Sequence, residues 1–220
     1  MVSFTEENYI KAIYHLSDQK SGAMVSTNEL AEITQTRAAS VTDMLKKLSD
    51  KKYIHYKKYQ GVKLTDSGEE IALHIIRKHR LWEVFLVEKL GFKWDEIHDL
   101  AEQLEHIKSA DLTNRLDIFL GHPRFDPHGD PIPDASGKMP VTQTIRLSEA
   151  VIGQNYVIMG VSEDSSPFLQ HLDRLGIKLG LMLQINDRSD FDQSLELSAE
   201  GHKTIRVSIE VARNIQVLVR

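Results

Sequence analysis

The sequence predicts a mainly α-helical chain that ends in a small β domain, and three observations carry that reading. Apolar residues recur at helical spacing in the first half, as in Tyr9, Ile10, Ile13, Tyr14 and Leu16, and again in Ile71, Ile75, Ile76, Phe85 and Leu86. The second half instead offers short β-rich stretches: Thr142 to Leu147, Tyr156 to Val161, Leu181 to Ile185, Leu195 to Leu197, Thr204 to Ile209 and Ile215 to Val219. Turn formers such as Gly153, Gly160, Gly180 and Asp190 separate them. Between the halves, five of the six prolines (123, 127, 131, 133 and 140) and three glycines fall from Gly121 to Pro140, where they interrupt helix and ladder hydrogen bonds alike. Four segments follow: 1–72, 73–122, a Pro-rich linker over 123–140, and 141–220.

Within the first segment, VSTNELAEITQTRAASVTDMLKKLSDKKYI divides into a helix from Thr27 to Ile33, a short turn and a second helix from Ala38 to Lys51. Ser26 and Thr27 are caps for the first of these, and Leu30, Ala31 and Ile33 are expected to pack against Val41, Leu45 and Leu48. The second helix begins with small or polar residues (Arg37, Ala38, Ala39, Ser40, Thr42, Asp43), which let its backbone approach a groove floor. After it, YIHYKKYQGVKLTDSG reads as a β-hairpin wing with lysines at its tip. Residues 1–72 are therefore read as a winged helix-turn-helix.

Charge supports a nucleic-acid role for this segment. The net charge is −5, yet residues 1–80 hold 13 Lys and Arg against 10 Asp and Glu, while 81–220 hold 14 against 22. Seven lysines lie between Lys46 and Lys63 with a single acid, Asp50. Lys47, Lys57 and Lys58 are the phosphate-contact candidates, because lysine neutralises backbone charge without reading sequence. Asp43 is read either as an acceptor from a cytosine amino group or as a residue that simply faces solvent. Winged helices also serve as protein-protein modules, but coincidence of the basic cluster with the second helix and the wing favours DNA.

The second segment holds ligand types for a metal. His79 and Glu83 are four residues apart in IRKHRLWEVFL, and His98, Glu102, Glu105 and His106 lie in DEIHDLAEQLEHI. On a helix through 106 the latter set covers one face, with Ile97, Leu100, Ala101 and Leu104 opposite. Glu102 and Glu105 would repel each other there, and neither has a basic residue correctly placed three or four positions away. A bound cation resolves the repulsion. Carboxylate and imidazole donors without sulfur suit Mn²⁺, Fe²⁺ or Zn²⁺, and the oxygen content leans toward manganese or iron. His122 and His128 are read as structural residues of a turn-rich connector.

Other classes are excluded or disfavoured. With no cysteine there is no disulfide, thiolate nucleophile or sulfur-based zinc site, in keeping with a reducing compartment. No apolar run approaches the roughly 18 residues of a membrane span, and MVSFTEENYIKAIYHL has no signal-peptide pattern, so a cytoplasmic location away from membranes is expected. A metal-dependent hydrolase or metal-storage protein, using the winged helix only for assembly, is the principal alternative, although there is no nucleophile elbow, phosphate loop or His-Glu-x-x-His motif. A metal-independent winged-helix regulator is a third reading.

These motifs together resemble the diphtheria-toxin-repressor family of metal-dependent transcriptional repressors, in its manganese-responsive branch with a third domain. The resemblance runs through TEENYIKAIYHL, the winged helix, RKHRLWEVFL, HDLAEQLEH, DPHGDPIP and the C-terminal β domain. It implies a helical metal-binding and dimerisation domain over 73–122 and an SH3-like (FeoA-type) barrel over 141–220. It further implies a primary metal site of Asn8, Glu102, Glu105 and His106 and an ancillary site of His79, Glu83 and His98 with Asp164 from the barrel, Glu163 being the alternative. A glutamine common after that acid is replaced by Pro167. Glu102 stands where iron-type members use cysteine, which points to Mn²⁺ ahead of Fe²⁺; Asn8 replaces an aspartate, offering a neutral oxygen. Lys11 replaces an acid of the shorter manganese regulators, which implies two separated sites per monomer instead of a tight binuclear one. The partners implied are a second copy of the chain and double-stranded DNA with a near-palindromic operator; the protein is not an enzyme.

Overall fold

The computed structural model describes residues 2–20, 22–199 and 203–220, Lys203 by its backbone only. The chain forms two compact units. The first comprises residues 1–79 together with 104–109 and 133–138; the second comprises 80–103, 110–132 and 139–220. No chain break marks the expected boundary after residue 72: a single helix, α4 (Asp66–Leu90), runs through it and contributes to both units.

The first unit opens with α1 (Phe4–Gln19), begun by a capping box in which Ser3 and Glu6 satisfy each other's backbone N–H groups. Helices α2 (Thr27–Ile33) and α3 (Ala38–Asp50) follow, α2 with its own capping box from Ser26 and Glu29. Strands β1 (Ile54–Lys57) and β2 (Gly61–Leu64) pair antiparallel, and Val25 exchanges two hydrogen bonds with Val62, so the hairpin is anchored to the segment before α2. The fold is that of a winged helix. Its core joins Tyr9, Ile10 and Ile13 of α1 to Leu30, Val41, Leu45, Leu48, Ile54 and Val62. Ile33, expected in that core, is half exposed, because α2 ends there and the chain leaves through Thr34, whose hydroxyl bonds back to Leu30.

A buried charge ties α1 to α3. Glu6 has no solvent exposure and accepts from Lys51 Nζ at 2.7 Å, with Lys47 Nζ at 3.1 Å. Burial alone would raise its carboxyl, but hydrogen bonds from Lys51, the Ser3 N–H and Lys47 outweigh it and hold the pKa at about 2.

In the second unit, α5 (His98–Leu104) and α6 (Ala110–Phe119) accompany the last turns of α4. Leu81, Val84 and Leu116 pack there with Ile132 of the linker. The C-terminal part is a six-stranded antiparallel sheet in the order β3 (Ile145–Arg146), β8 (Ile215–Val219), β4 (Asn155–Val161), β5 (Met182–Arg188), β6 (Leu195–Ala199) and β7 (Lys203–Val207). Its core gathers Tyr156, Ile158, Leu183, Ile185, Leu197, Ile215 and Val217. Two helices stand where sequence reading expected only strands and turns. Helix α7 (Ser166–Leu175) starts with Pro167 in its first turn, ends at Gly176 in the left-handed conformation and buries Leu169 and Leu172. Helix α8 (Ile209–Arg213) takes Ile209 from the expected last-but-one strand, since Ser208 caps it through the Val211 N–H. The first expected strand shrinks to two residues because Leu147 to Glu149 form a 3-10 turn.

The linker is not a free connector. Arg124 to Ile132 folds into a turn in which Asp126 accepts from the His128 and Asp130 N–H groups, and the His128 carbonyl accepts from the Val161 N–H of β4 at 2.9 Å. Gly129 lies against Gly160 so closely that a Cβ would stand 2.1 Å from the Met159 carbonyl oxygen.

Two outcomes follow in denaturant unfolding. Gly129→Ala should cost more than about 2 kcal/mol, combining a strained positive φ with backbone overlap, whereas Gly153→Ala, at positive φ but in open space, should cost only about 1 kcal/mol; equal losses would refute the close approach. Glu6→Gln should cost about 1–2 kcal/mol at neutral pH, discounted because both lysines are partly exposed. Since the Glu6 carboxyl is depressed in the fold, its contribution exists above about pH 4.5 and fades as pH falls toward 2; the acid limb of the stability curve should flatten over that window in the variant and is the quantity to measure.

Candidate metal centre and nucleic-acid interface

Two clusters of carboxylate and imidazole groups emerge, one in each unit. In the first, the chain following α5 places Glu105 and His106 against α1. The single helical face expected for residues 98–106 is interrupted, because α5 ends at Leu104 and both residues follow in a turn. Glu105 is wholly buried and accepts from Lys11 Nζ at 2.7 and 2.8 Å and from His79 Nδ1 at 2.6 Å. Burial opposes its ionisation, yet the His79 hydrogen bond and the Lys11 ammonium outweigh that and keep its pKa below the usual value. The basic partner that no nearby sequence position supplies to Glu105 thus comes from α1. His106 Nδ1 lies 2.7 Å from Glu7 Oε2, with Phe4 stacked on its ring.

Asn8 shares this helix, and its amide oxygen is buried with no hydrogen-bond partner. A buried orphan acceptor of this kind is expensive unless something positive completes it. Glu7 was missed from sequence: an acid in the first turn of a helix is explained by the helix dipole alone, and nothing local distinguishes Glu7 from Glu6.

In the second unit, Glu83 is the hub. Its carboxylate oxygen lies 3.8 Å from His128 Nδ1 and 4.0 Å from His98 Nδ1. His98 in turn is 3.6 Å from Asp164 and 3.9 Å from Glu102. Asp164, not Glu163, is the barrel acid that reaches this place, since Glu163 bonds the Ser165 N–H. Glu83, Asp126 and His128 form a group of potential ligands within 4.8 Å of one another, exposed by only 2, 6 and 4%. This alters the reading of His128 as a plain connector residue; His122, exposed and bonded to Asp117, keeps it. The signal for Asp126 and His128 was available as Asp-Pro-His, but prolines around it also explain a turn.

The chemistry of this group fits a cation. His128 Nε2 donates to the Trp94 carbonyl at 2.8 Å, which in the neutral ring leaves the lone pair on Nδ1, the atom facing Glu83. Desolvation, with the nearby charges of Glu83 and Asp130, drives the Asp126 carboxyl well above its usual range despite Arg80. Two buried carboxylates and an imidazole nitrogen therefore converge, with Arg80 3.5 Å from Asp126 at one side, and a hard divalent ion suits that donor set. His79 lies one turn before Glu83 on α4.

The expected DNA-contact residues present themselves to solvent. Arg37, Ala38, Ala39 and Ser40 are exposed at the start of α3, Thr42 bonds back to the Ala38 carbonyl, and Asp43 is exposed beside Lys46. Lys57 and Lys58 flank the wing tip, while Lys47 is turned toward Glu6.

Comparison with known proteins converges on one family. Residues 1–62 match the family described as iron dependent repressor, N-terminal DNA binding domain; 65–134 match its metal binding and dimerisation domain; and 145–219 match the FeoA domain. A solved manganese-dependent transcriptional repressor in complex with manganese is similar over 98% of this chain and 100% of its own, with 34% identity and a TM-score of 0.87. The transcriptional regulator MntR of Oceanobacillus iheyensis is 37% identical over 54% of this chain and 80% of its own length. The iron-dependent repressor IdeR of Mycobacterium tuberculosis is 31% identical over 59% of this chain and 55% of its own length. The hydrolase and metal-storage alternatives fall with this finding, since the family is one of repressors and not of enzymes. No helix among the described residues is long and apolar enough to cross a membrane. The DNA-binding, metal-binding and dimerisation, and FeoA domains are matched one after another along the sequence, and the chain belongs to the iron-dependent repressor family of metal-dependent transcriptional regulators.

Proposed function

We propose that this protein is a manganese-responsive repressor, with Fe²⁺ as the second candidate, that works in the cytoplasm as a homodimer on a near-palindromic operator and holds two metal ions per monomer. One observation carries the reading: adjacent residues of α1 reach both neighbourhoods, Glu6 being held by Lys47 and Lys51 of α3 while Glu7 reaches His106 and Asn8 buries its amide oxygen. A bound divalent ion supplies positive charge that lets several buried carboxylates ionise side by side.

Asn8, Glu102, Glu105 and His106 would hold the primary ion, and His79, Glu83, His98 and Asp164, joined by Asp126 and His128, supply the ligands of the ancillary one. Ile10 and Ile13 of α1 share a core with Val41, Leu45 and Leu48 of α3, so a fixed α1 fixes the recognition helix. Arg37, Ala38, Ala39, Ser40, Thr42 and Asp43 then face a major groove, and Lys47, Lys57 and Lys58 face phosphates. Residues 1–72, 73–122 and 141–220 divide these tasks into DNA binding, metal binding with dimerisation, and an SH3-like domain. The exposed Ile118 and Phe119 of α6, 64 and 63% accessible, support dimerisation through that helix. Ligand affinities for metal and DNA are reciprocally coupled in such a scheme. The absence of sulfur donors and the carboxylate at Glu102 favour manganese.

The reading is tested with DNA duplexes selected from a random pool in the presence of Mn²⁺. Wild-type protein should be retained with Mn²⁺ and released by chelator, and Glu102→Ala should lose the metal response while keeping its helical circular dichroism; retention indifferent to chelator would sink the proposal. Lys57→Ala or Lys58→Ala should weaken binding across all duplexes and lower the log-log salt slope by about 1. Identical slopes would remove the wing from the interface.

A further inference from the structure

One of the expected primary ligands, Glu105, already faces a cation that belongs to the chain. Lys11, three residues after Asn8 on α1, sets its Nζ 2.7 and 2.8 Å from the two oxygens of Glu105. The lysine side chain is 13% exposed and Glu105 not at all. With His79 donating to Oε2 as well, both Glu105 oxygens are occupied by donors. An ammonium has three donors and no lone pair, so it neutralises a carboxylate but never joins a coordination shell. A divalent ion seeking the same oxygens meets a positive charge in a site with little water to screen it.

We propose that Lys11 is a built-in competitor for the metal at Glu105: its ammonium neutralises that carboxylate in the metal-free protein and has to leave it when a divalent ion binds. This rests on the metalloregulator reading above and deepens it. The lysine stem has four rotatable methylenes, so the head can swing away without moving α1. Until it does, the pair fastens α1 to the turn at Glu105 and His106 and spares the protein an unpaired buried charge. Metal affinity is then the difference between two cations at one carboxylate, and Lys11 sets the concentration at which the site fills. A lysine that only braced the fold would matter equally with and without metal.

That contrast is the test. Chelator-stripped full-length wild type, Lys11→Met and Lys11→Arg are titrated with Mn²⁺ by calorimetry, and each is melted with and without saturating Mn²⁺. Lys11→Met should bind Mn²⁺ at least about tenfold more tightly, melt lower than wild type without metal and melt with it when saturated. Lys11→Arg, whose planar fork grips a carboxylate through two parallel bonds, should bind Mn²⁺ more weakly and remain folded, so the inference stays testable even if the Met variant does not fold. Overturning results are a Kd within threefold of wild type in both variants, or equal drops in Tm for Lys11→Met with and without Mn²⁺. If wild type itself binds no Mn²⁺, the metalloregulator reading fails and this inference falls with it; if wild type binds and the variants are unchanged, only the inference fails.

Discussion

A carboxylate sealed from water has to be neutralised by something the fold brings to it, and Glu105 imposes that requirement on the first unit. It draws Lys11 from α1 and His79 from α4 to a single point, so three segments distant in sequence are fixed by one charge. Removing either partner from such an arrangement costs more than forming it returns, because the remaining charge is stranded in a medium that solvates it poorly. The helix that answers Glu105 also carries Glu6, whose lysines come from α3. Helix α1 is thereby held by charge at both ends of its task, and the apolar contacts of Ile10 and Ile13 make the link stiff.

The second unit solves a similar problem with a different balance. Glu83, Asp126 and His128 are buried together, and Arg80 answers Asp126 and Asp130 from one side only. The turn that carries Asp126 and His128 is docked on β4 through the His128 carbonyl and the Gly129–Gly160 approach, while Trp94 stacks on His128 and reaches Asp173 of α7 through its indole nitrogen. Asp95 adds hydrogen bonds from Ser166 and Gln170. The sheet domain is consequently bonded to the same residues that line the ligand cluster, and the linker is the material of that bond.

How far the sequence anticipated this depends on the range of the interaction. Local signals succeeded: capping serines, the spacing of Leu30 against Leu45 and Leu48, and the Gln-Gly turn of the wing each predicted an element where one stands. Helix α7 carries local signals as well, Pro167 in its first turn and Gly176 at its end, which a division of this domain into strands and turns leaves unused. Ligand types on α4 and α5 were legible because both faces repeat at helical spacing. Asp126 and His128 were not, since prolines surround them and no spacing rule relates residue 83 to residue 126. The pairing of Lys11 with Glu105 is of the same kind: 94 positions separate the two, and only the folded core decides that they meet.

The donor set has a chemical consequence of its own. Imidazoles stand beside both Glu83 and Glu105, and the chain has no cysteine anywhere. The ladder by which peroxide converts a thiolate to sulfenic, sulfinic and sulfonic acids therefore has no first rung at either cluster. A thiolate at either place would answer to redox history as well as to its surroundings, whereas carboxylate and imidazole groups pass through an oxidative episode without the sulfur chemistry that such a site would register as damage.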